Sequence, residues 1–133
     1  MTVQPADRAV RIVHADAAPP PPGPATAGMD RRLLHEDGDR WIGWVRVESG
    51  VESGWHHHND RDTYIFVVRG SMRIEFGPGG SEAVEGTSGD FILVPRQTIH
   101  REVVGPDGPT DGFLVRIGPG PQVVNVDGPE EAR

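Results

Sequence analysis

His56, His57 and His58 stand in a row, and His100 follows well downstream in a separate segment. On an extended chain successive side chains alternate between two faces, so His56 and His58 project together and His57 projects away. If the fold brings His100 to the same side, three neutral imidazoles converge on one point. That donor set suits Fe2+, Zn2+, Ni2+, Cu2+ or Mn2+. Three protein donors leave positions open for water, substrate or dioxygen, which is what a catalytic metal requires. A bare run of histidines is also common on solvated loops, so the spacing of the residues around it carries more weight than the run.

That spacing is Gly50, five residues, His56-x-His58, four residues, Thr63, six residues, Gly70. A second segment runs Gly89, five residues, Pro95, four residues, His100. Together they resemble the two signature motifs of the cupin superfamily, small barrels that hold a divalent metal in the barrel mouth. The resemblance implies an all-β fold, an antiparallel double-stranded β-helix or jelly-roll barrel, with a metal held by His56, His58 and His100. Thr63 departs from the pattern: the family has glutamate there, normally the fourth protein ligand. Its hydroxyl is a poor ligand but can orient a bound water near the metal. Gln97 replaces a motif glycine, and Val104 replaces a motif asparagine.

Cupins with three histidines and no glutamate include iron-dependent dioxygenases acting on thiols, diketones and hydroxylated aromatic acids. The first functional expectation is therefore a non-haem iron dioxygenase acting on a small chelating substrate, with Fe2+ as its metal. Two alternatives stand beside it: a Zn2+- or Ni2+-dependent isomerase, lyase or hydrolase, and a non-catalytic barrel that binds or senses a small ligand. The resemblance also implies a homodimer paired through an outer sheet, and an apolar outward face at Tyr64, Phe66 and Val68 gives an independent reason.

Other carboxylates near the motifs are candidates for the missing charge. Asp62 points outward by parity, and Asp60 reaches inward only if its loop bends unusually. Glu102 shares a face with His100, roughly 6 to 7 Å further along the strand. At that distance it reads as a catalytic base or water-holder beside the metal and not as a ligand. Arg46, Arg101 and Arg116 are candidate cations for an anionic substrate; parity turns Arg101 away from His100, and no clamp is assigned. His14 and His35 lie on peripheral segments without ligand spacing.

Strands must position these groups. Strand-like alternation covers 8–14, 31–35, 40–48, 63–69, 71–76, 82–85, 91–94, 99–104 and 112–117, and no stretch sustains helical periodicity. Met72, Ile74 and Phe76 share one face; Phe113, Val115 and Ile117 share another, opposite Leu114 and Arg116. Thr63, Ile65 and Val67 return to the face of His56 and His58. Trp41 and Trp44 point to opposite sides, and Asp37-Gly38 reads as a hairpin turn. The expected layout is an N-terminal strand in 1–16, a Pro-rich spacer at 17–28, the barrel over 29–126 and a tail at 127–133, all in one domain.

With 18 glycines and 13 prolines distributed between short apolar segments, the composition is that of a turn-rich barrel. A net charge of −7 argues against nucleic acid or anionic lipid as partner. The absence of cysteine excludes disulfides and thiolate ligands. No apolar run approaches the ~20 residues that span a bilayer, so a soluble, cytoplasmic protein is expected.

Overall fold

The computed structural model describes residues 9–132, and these form two five-stranded antiparallel sheets packed face to face. The strands are β1 (Asp30–Asp37), β2 (Arg40–Val47), β3 (His56–His57), β4 (Asp62–Arg69), β5 (Ser71–Phe76), β6 (Glu82–Thr87), β7 (Phe91–Val94), β8 (His100–Val103), β9 (Thr110–Ile117) and β10 (Val124–Asn125). One sheet has the order β1-β2-β9-β4-β7, the other β10-β3-β8-β5-β6. This is the all-β double-stranded helix expected from the motifs. The only helical piece among the described residues is a 3-10 turn at Ala15–Ala17, and no helix is long and apolar enough to cross a membrane.

Period-2 alternation explains most strands. In β2, buried Trp41, Gly43, Val45 and Val47 alternate with half-buried residues. In β4, Thr63, Ile65 and Val67 face inward, and in β5 Met72 and Ile74 do. In β9 the inward set is Leu114 and Arg116, while Phe113 and Val115 lie on the outer, half-buried face. Hydrophobicity alone would have turned β9 the other way.

Several details go beyond or depart from the expected layout. Residues 9–14 carry no strand, and Arg8 lies outside the described residues. The Pro-rich segment is not a free spacer. Pro19 accepts a hydrogen bond from Leu33 N (2.9 Å), Ala18 accepts one from Arg32, and Ala18 and Thr26 are buried. It lies along β1, whose outer edge would otherwise present unpaired backbone groups. The first hairpin turns on Gly38 and Asp39, because Asp37 still pairs with Arg40. The chain beyond β10 is also tied down, with Gly79 N donating to Glu130 O at 2.7 Å.

The registers divide the interior into two ends. At one, Val45, Val47, Val67, Met72, Ile92, Val104 and Leu114 form an apolar core. The sheets approach so closely there that a Cβ on Gly86 would lie 2.8 Å from Ile92 Cδ1. At the other, one row across the first sheet reads Trp41, Arg116, Thr63, Val94. A row of the second reads Phe76, His100, His56, Asn125.

Candidate metal centre

His56 on β3 is the direct cross-strand partner of His100 on β8, which sets their rings 4.3 Å apart. His58, two residues on from His56, returns to the same side, 5.1 Å from the His56 ring and 5.2 Å from that of His100. All three are buried, and one nitrogen from each lies within 4.8 Å of the others. His57 turns away, and its Nδ1 accepts from Asn59 N. The alternation argument for this segment therefore holds in the structure.

Backbone carbonyls fix the rings. His56 Nδ1 faces Gly54 O at 2.9 Å, His58 Nδ1 faces Gln122 O at 2.7 Å and His100 Nδ1 faces Thr98 O at 2.8 Å. A carbonyl only accepts, so each Nδ1 carries the proton and each Nε2 presents a lone pair inward. This is how metal-ligating histidines are oriented. The carbonyl for His58 comes from the segment leading into β10, which sequence spacing did not connect to the site.

Glu102 requires a correction. Its carboxylate lies 3.3 Å from His100 Nε2 and 3.5 Å from His56 Nε2, not a further strand step away. Side chains lean along a strand, so a long carboxylate and a ring two residues apart meet at their tips although their Cα atoms do not. Ser53 holds it: Ser53 Oγ donates to Glu102 Oε2 at 3.1 Å and accepts from Glu102 N at 2.9 Å. Neither histidine Nε2 has a hydrogen-bond partner. Lone pairs thus face a buried carboxylate, a repulsive arrangement that a cation between them would reverse. Two donors each about 2.1 Å from a tetrahedral ion lie about 3.4 Å apart, so the spacing suits one ion touching both groups.

The electrostatics agree. Burial pushes His56 down to about 4, with His100 and Arg31 adding to the effect against the pull of Glu102. Burial, reinforced by Arg116 and the other two histidines, holds His58 well below the ordinary range. Burial alone would raise Glu102, but His56, His100 and Arg31 outweigh it and keep the carboxyl below the usual carboxylate range. At neutral pH His56 and His58 are therefore neutral and Glu102 is ionised, the protonation states in which these groups bind a divalent ion.

Thr63 is buried on the inner face of the other sheet, between Arg116 and Val94, and its Oγ1 has no partner. Asp62 points outward to Arg96, and Asp60 accepts from Gln97 at 2.8 Å; neither approaches the histidines. Arg101 stacks on Trp55 and pairs with Glu75 and Glu52, and Arg46 pairs with exposed Glu48. Arg116 and Arg31 are buried inside the barrel. Parity already set Arg116 opposite Phe113, but nothing in the sequence said which face was inner; Arg31 gave no signal. His14 is exposed, and His35 lies 3.5 Å from Arg11.

On the side of β6 and β7, one edge strand of each sheet, a cleft touches one of the three histidines. It has a volume of about 210 Å3 and is lined by Ile74, Phe76, Ile92, Val94 and Thr98 with His100 among them.

Comparison with known proteins agrees with the fold. The Cupin domain family matches residues 43–111, just over half of the chain. An uncharacterized protein YdbB of Bacillus subtilis is 34% identical over 50 residues, which are 38% of this chain and 42% of that protein. The chain thus spans less than half the length of that relative. Among solved structures, the polyketide cyclase RemF from Streptomyces resistomycificus superposes with a TM-score of 0.70 at 24% identity, covering 89% of this chain and 86% of that one. A double-stranded β-helix protein from Klebsiella pneumoniae gives 0.72 at 16% identity, covering 95% and 99%. KdgF from a Halomonas species gives 0.56 at 23%, covering 69% and 81%. At these identities the structures share the fold.

Proposed function

The chain belongs to the cupin family, and we propose that it is a metal-dependent enzyme acting on a small molecule, with His56, His58 and His100 as ligands and Glu102 as a fourth, anionic donor. The observation that carries this reading is the buried Glu102 carboxylate 3.5 and 3.3 Å from Nε2 of His56 and His100, nitrogens that are themselves buried without a hydrogen-bond partner. Glu102 restores from another strand the charge that Thr63 does not supply. When bound, a divalent metal there would act as a Lewis acid on a substrate oxygen. Glu102, at the edge of the same point, is placed to hold a proton if a substrate displaces it, and Ser53 keeps its orientation.

The arrangement favours a Zn2+- or Ni2+-dependent isomerase, lyase or hydrolase, because a fourth protein donor leaves fewer positions for a chelating substrate together with dioxygen. The polyketide cyclase of similar fold is in keeping with this. A non-haem Fe2+ dioxygenase is the second reading, and the face of three imidazoles supports it. Elemental analysis of anaerobically purified protein, with oxygen uptake measured on candidate substrates, separates them. Zinc or nickel without oxygen consumption supports the first; iron with substrate-dependent uptake overturns it.

The same proposal includes a homodimer. Two rows on the outer face of the first sheet, Trp44–Phe113–Phe66–Phe91 and Ile42–Val115–Tyr64–Leu93, form an apolar surface in which Phe91 is 64% and Leu93 56% exposed. Sedimentation should give twice the chain mass, and Phe91→Glu should shift it to the monomer.

A further inference from the structure

Two buried guanidiniums near the histidines lack the partners that buried charges normally have. Arg116 is 1% exposed and Arg31 5%. Nε and Nη1 of Arg116, and Nε and Nη2 of Arg31, are buried without a hydrogen-bond partner. Neither residue lies within ion-pair distance of a carboxylate among the described residues. Arg61 supplies the contrast. It is equally buried, but its Nε donates to Gly120 O at 3.0 Å and both Nη atoms reach the Gln122 amide oxygen, once that amide is turned to accept, at 2.9 and 3.0 Å. Arg61 is saturated by the chain, whereas Arg31 and Arg116 have free donors.

Both are held in place. The Arg116 guanidinium lies over the Trp41 ring, 4.4 Å from its centroid, and that ring fills the space that Gly43 leaves by having no side chain. On the other side of Arg116 in the same inner row stands Thr63, whose buried Oγ1 is also unpartnered. Arg31 Nη1 donates to Thr26 Oγ1 at 3.0 Å, and Thr26 donates to Asn125, the cross-strand neighbour of His56. The two charges act on one another and on the cluster, Arg31 on His56 and Arg116 on His58. Of the two buried carboxylates, Asp111 bonds to Trp44 and pairs with Arg69 at the surface, so Glu102 alone offsets both guanidiniums. Buried charge of one sign without a counter-ion is costly, and with a divalent metal the excess grows.

We propose that the barrel interior binds a small carboxylate, with its anionic head drawn inward past His100 to the open donors of Arg116 and Arg31 and its hydrocarbon body in the cleft walled by Ile74, Phe76, Ile92 and Val94, which the arginines themselves do not line. The planar guanidinium fork matches a carboxylate, and the Thr63 hydroxyl adds a donor next to it. A cleft of about 210 Å3 limits the body to something smaller than a drug-sized ligand, a short alkyl chain or a single ring. The proposal names the substrate class for the metal-enzyme reading and rests on that reading only for what happens to the ligand; capture of the anion needs the arginines alone.

The test uses the full chain, both chelator-treated and zinc-loaded, with benzoate and hexanoate as probes and benzamide and hexanamide as uncharged counterparts. Calorimetry and thermal unfolding should show the carboxylates binding and stabilising the metal-free protein, and the amides at least about tenfold weaker. Arg116→Met, which keeps the bulk and removes the charge, should melt at or above the wild-type temperature without ligand and lose the carboxylate-induced shift. A purely structural arginine would instead lower the melting temperature and leave binding unchanged. Arg31→Met carries the same test should Arg116→Met fail to fold. Equal binding of acids and amides, carboxylate binding that survives both substitutions, or no carboxylate binding to the metal-free protein overturns the proposal. Zinc titration of the same wild-type sample separates the two readings. Carboxylate capture without zinc binding removes the metal centre and leaves this site standing, and zinc binding without arginine-dependent capture does the reverse.

Discussion

The two ends of the barrel interior are built from the same strands and the same alternation, yet they are finished differently. Toward Val47 and Met72 the inward residues are apolar and packed except Thr110, whose hydroxyl donates to Ser71 O, and the sheets touch at Gly86 and Ile92. Toward Trp41 and His100 the same inward positions hold Arg116, Thr63, His56 and His100, and most of their polar atoms have no partner within the chain. Adjacent inward residues on β9, Leu114 and Arg116, fall on either side of the boundary. Buried polar groups are ordinarily satisfied. A cluster of them left open beside a packed core is what a bound group would satisfy, as the proposed metal and carboxylate do.

Substitutions that treat the two ends alike should therefore give opposite results. At the polar end, His56→Ala, His58→Ala and His100→Ala should each abolish stoichiometric metal binding while His57→Ala retains it, as read by equilibrium dialysis; equal loss in His57→Ala would break the division of faces. At the apolar end, Leu114→Ala should cost about 2–5 kcal/mol in urea unfolding, with metal bound per folded molecule unchanged.

Acid should act through the polar end. His56 titrates at about 4 in the folded chain and near ~6.5 when unfolded, so the unfolded state takes up its proton first. Stability of the metal-free protein is then complete above pH ~6.5 and falls by roughly 3 kcal/mol on the way down to about 4. The depressed carboxyl of Glu102 adds a loss of the same sign at lower pH. Denaturant melts across that range would show it, and a flat profile down to pH 4 would mean the imidazoles are not buried neutral. The smallest effect lies outside both ends. Gln97 sits at φ 62 where the family pattern has glycine, so Gln97→Gly should gain up to about 1 kcal/mol, less what its bond to Asp60 contributes.

The apolar end was legible in the sequence because alternation and hydrophobicity agree there: Ile65 and Val67, and Met72 and Ile74, fell on the faces expected. The histidines were legible because motif spacing encodes a cross-strand pair, His56 with His100. Where pattern and polarity conflict, the sequence misleads. An arginine on an inner face, as at Arg116, contradicts the rule that assigns faces, and Arg31 reads as an ordinary surface residue at a strand edge. Strand rise located Glu102 but not its carboxylate, since reach depends on rotamer and on Ser53 from a distant loop. The carbonyl that orients His58 comes from a segment 64 residues away, which no local pattern encodes.

Whether His56, His58, His100 and Glu102 form one metal site is decided by a Zn2+ titration of the chelator-treated chain beside its Glu102→Gln variant. The wild type should bind a single ion per chain, and affinity should weaken about 10- to 100-fold in the variant, whose amide keeps the shape but not the charge. No saturable site in the wild type, or equal affinity in the two proteins, would contradict a shared site.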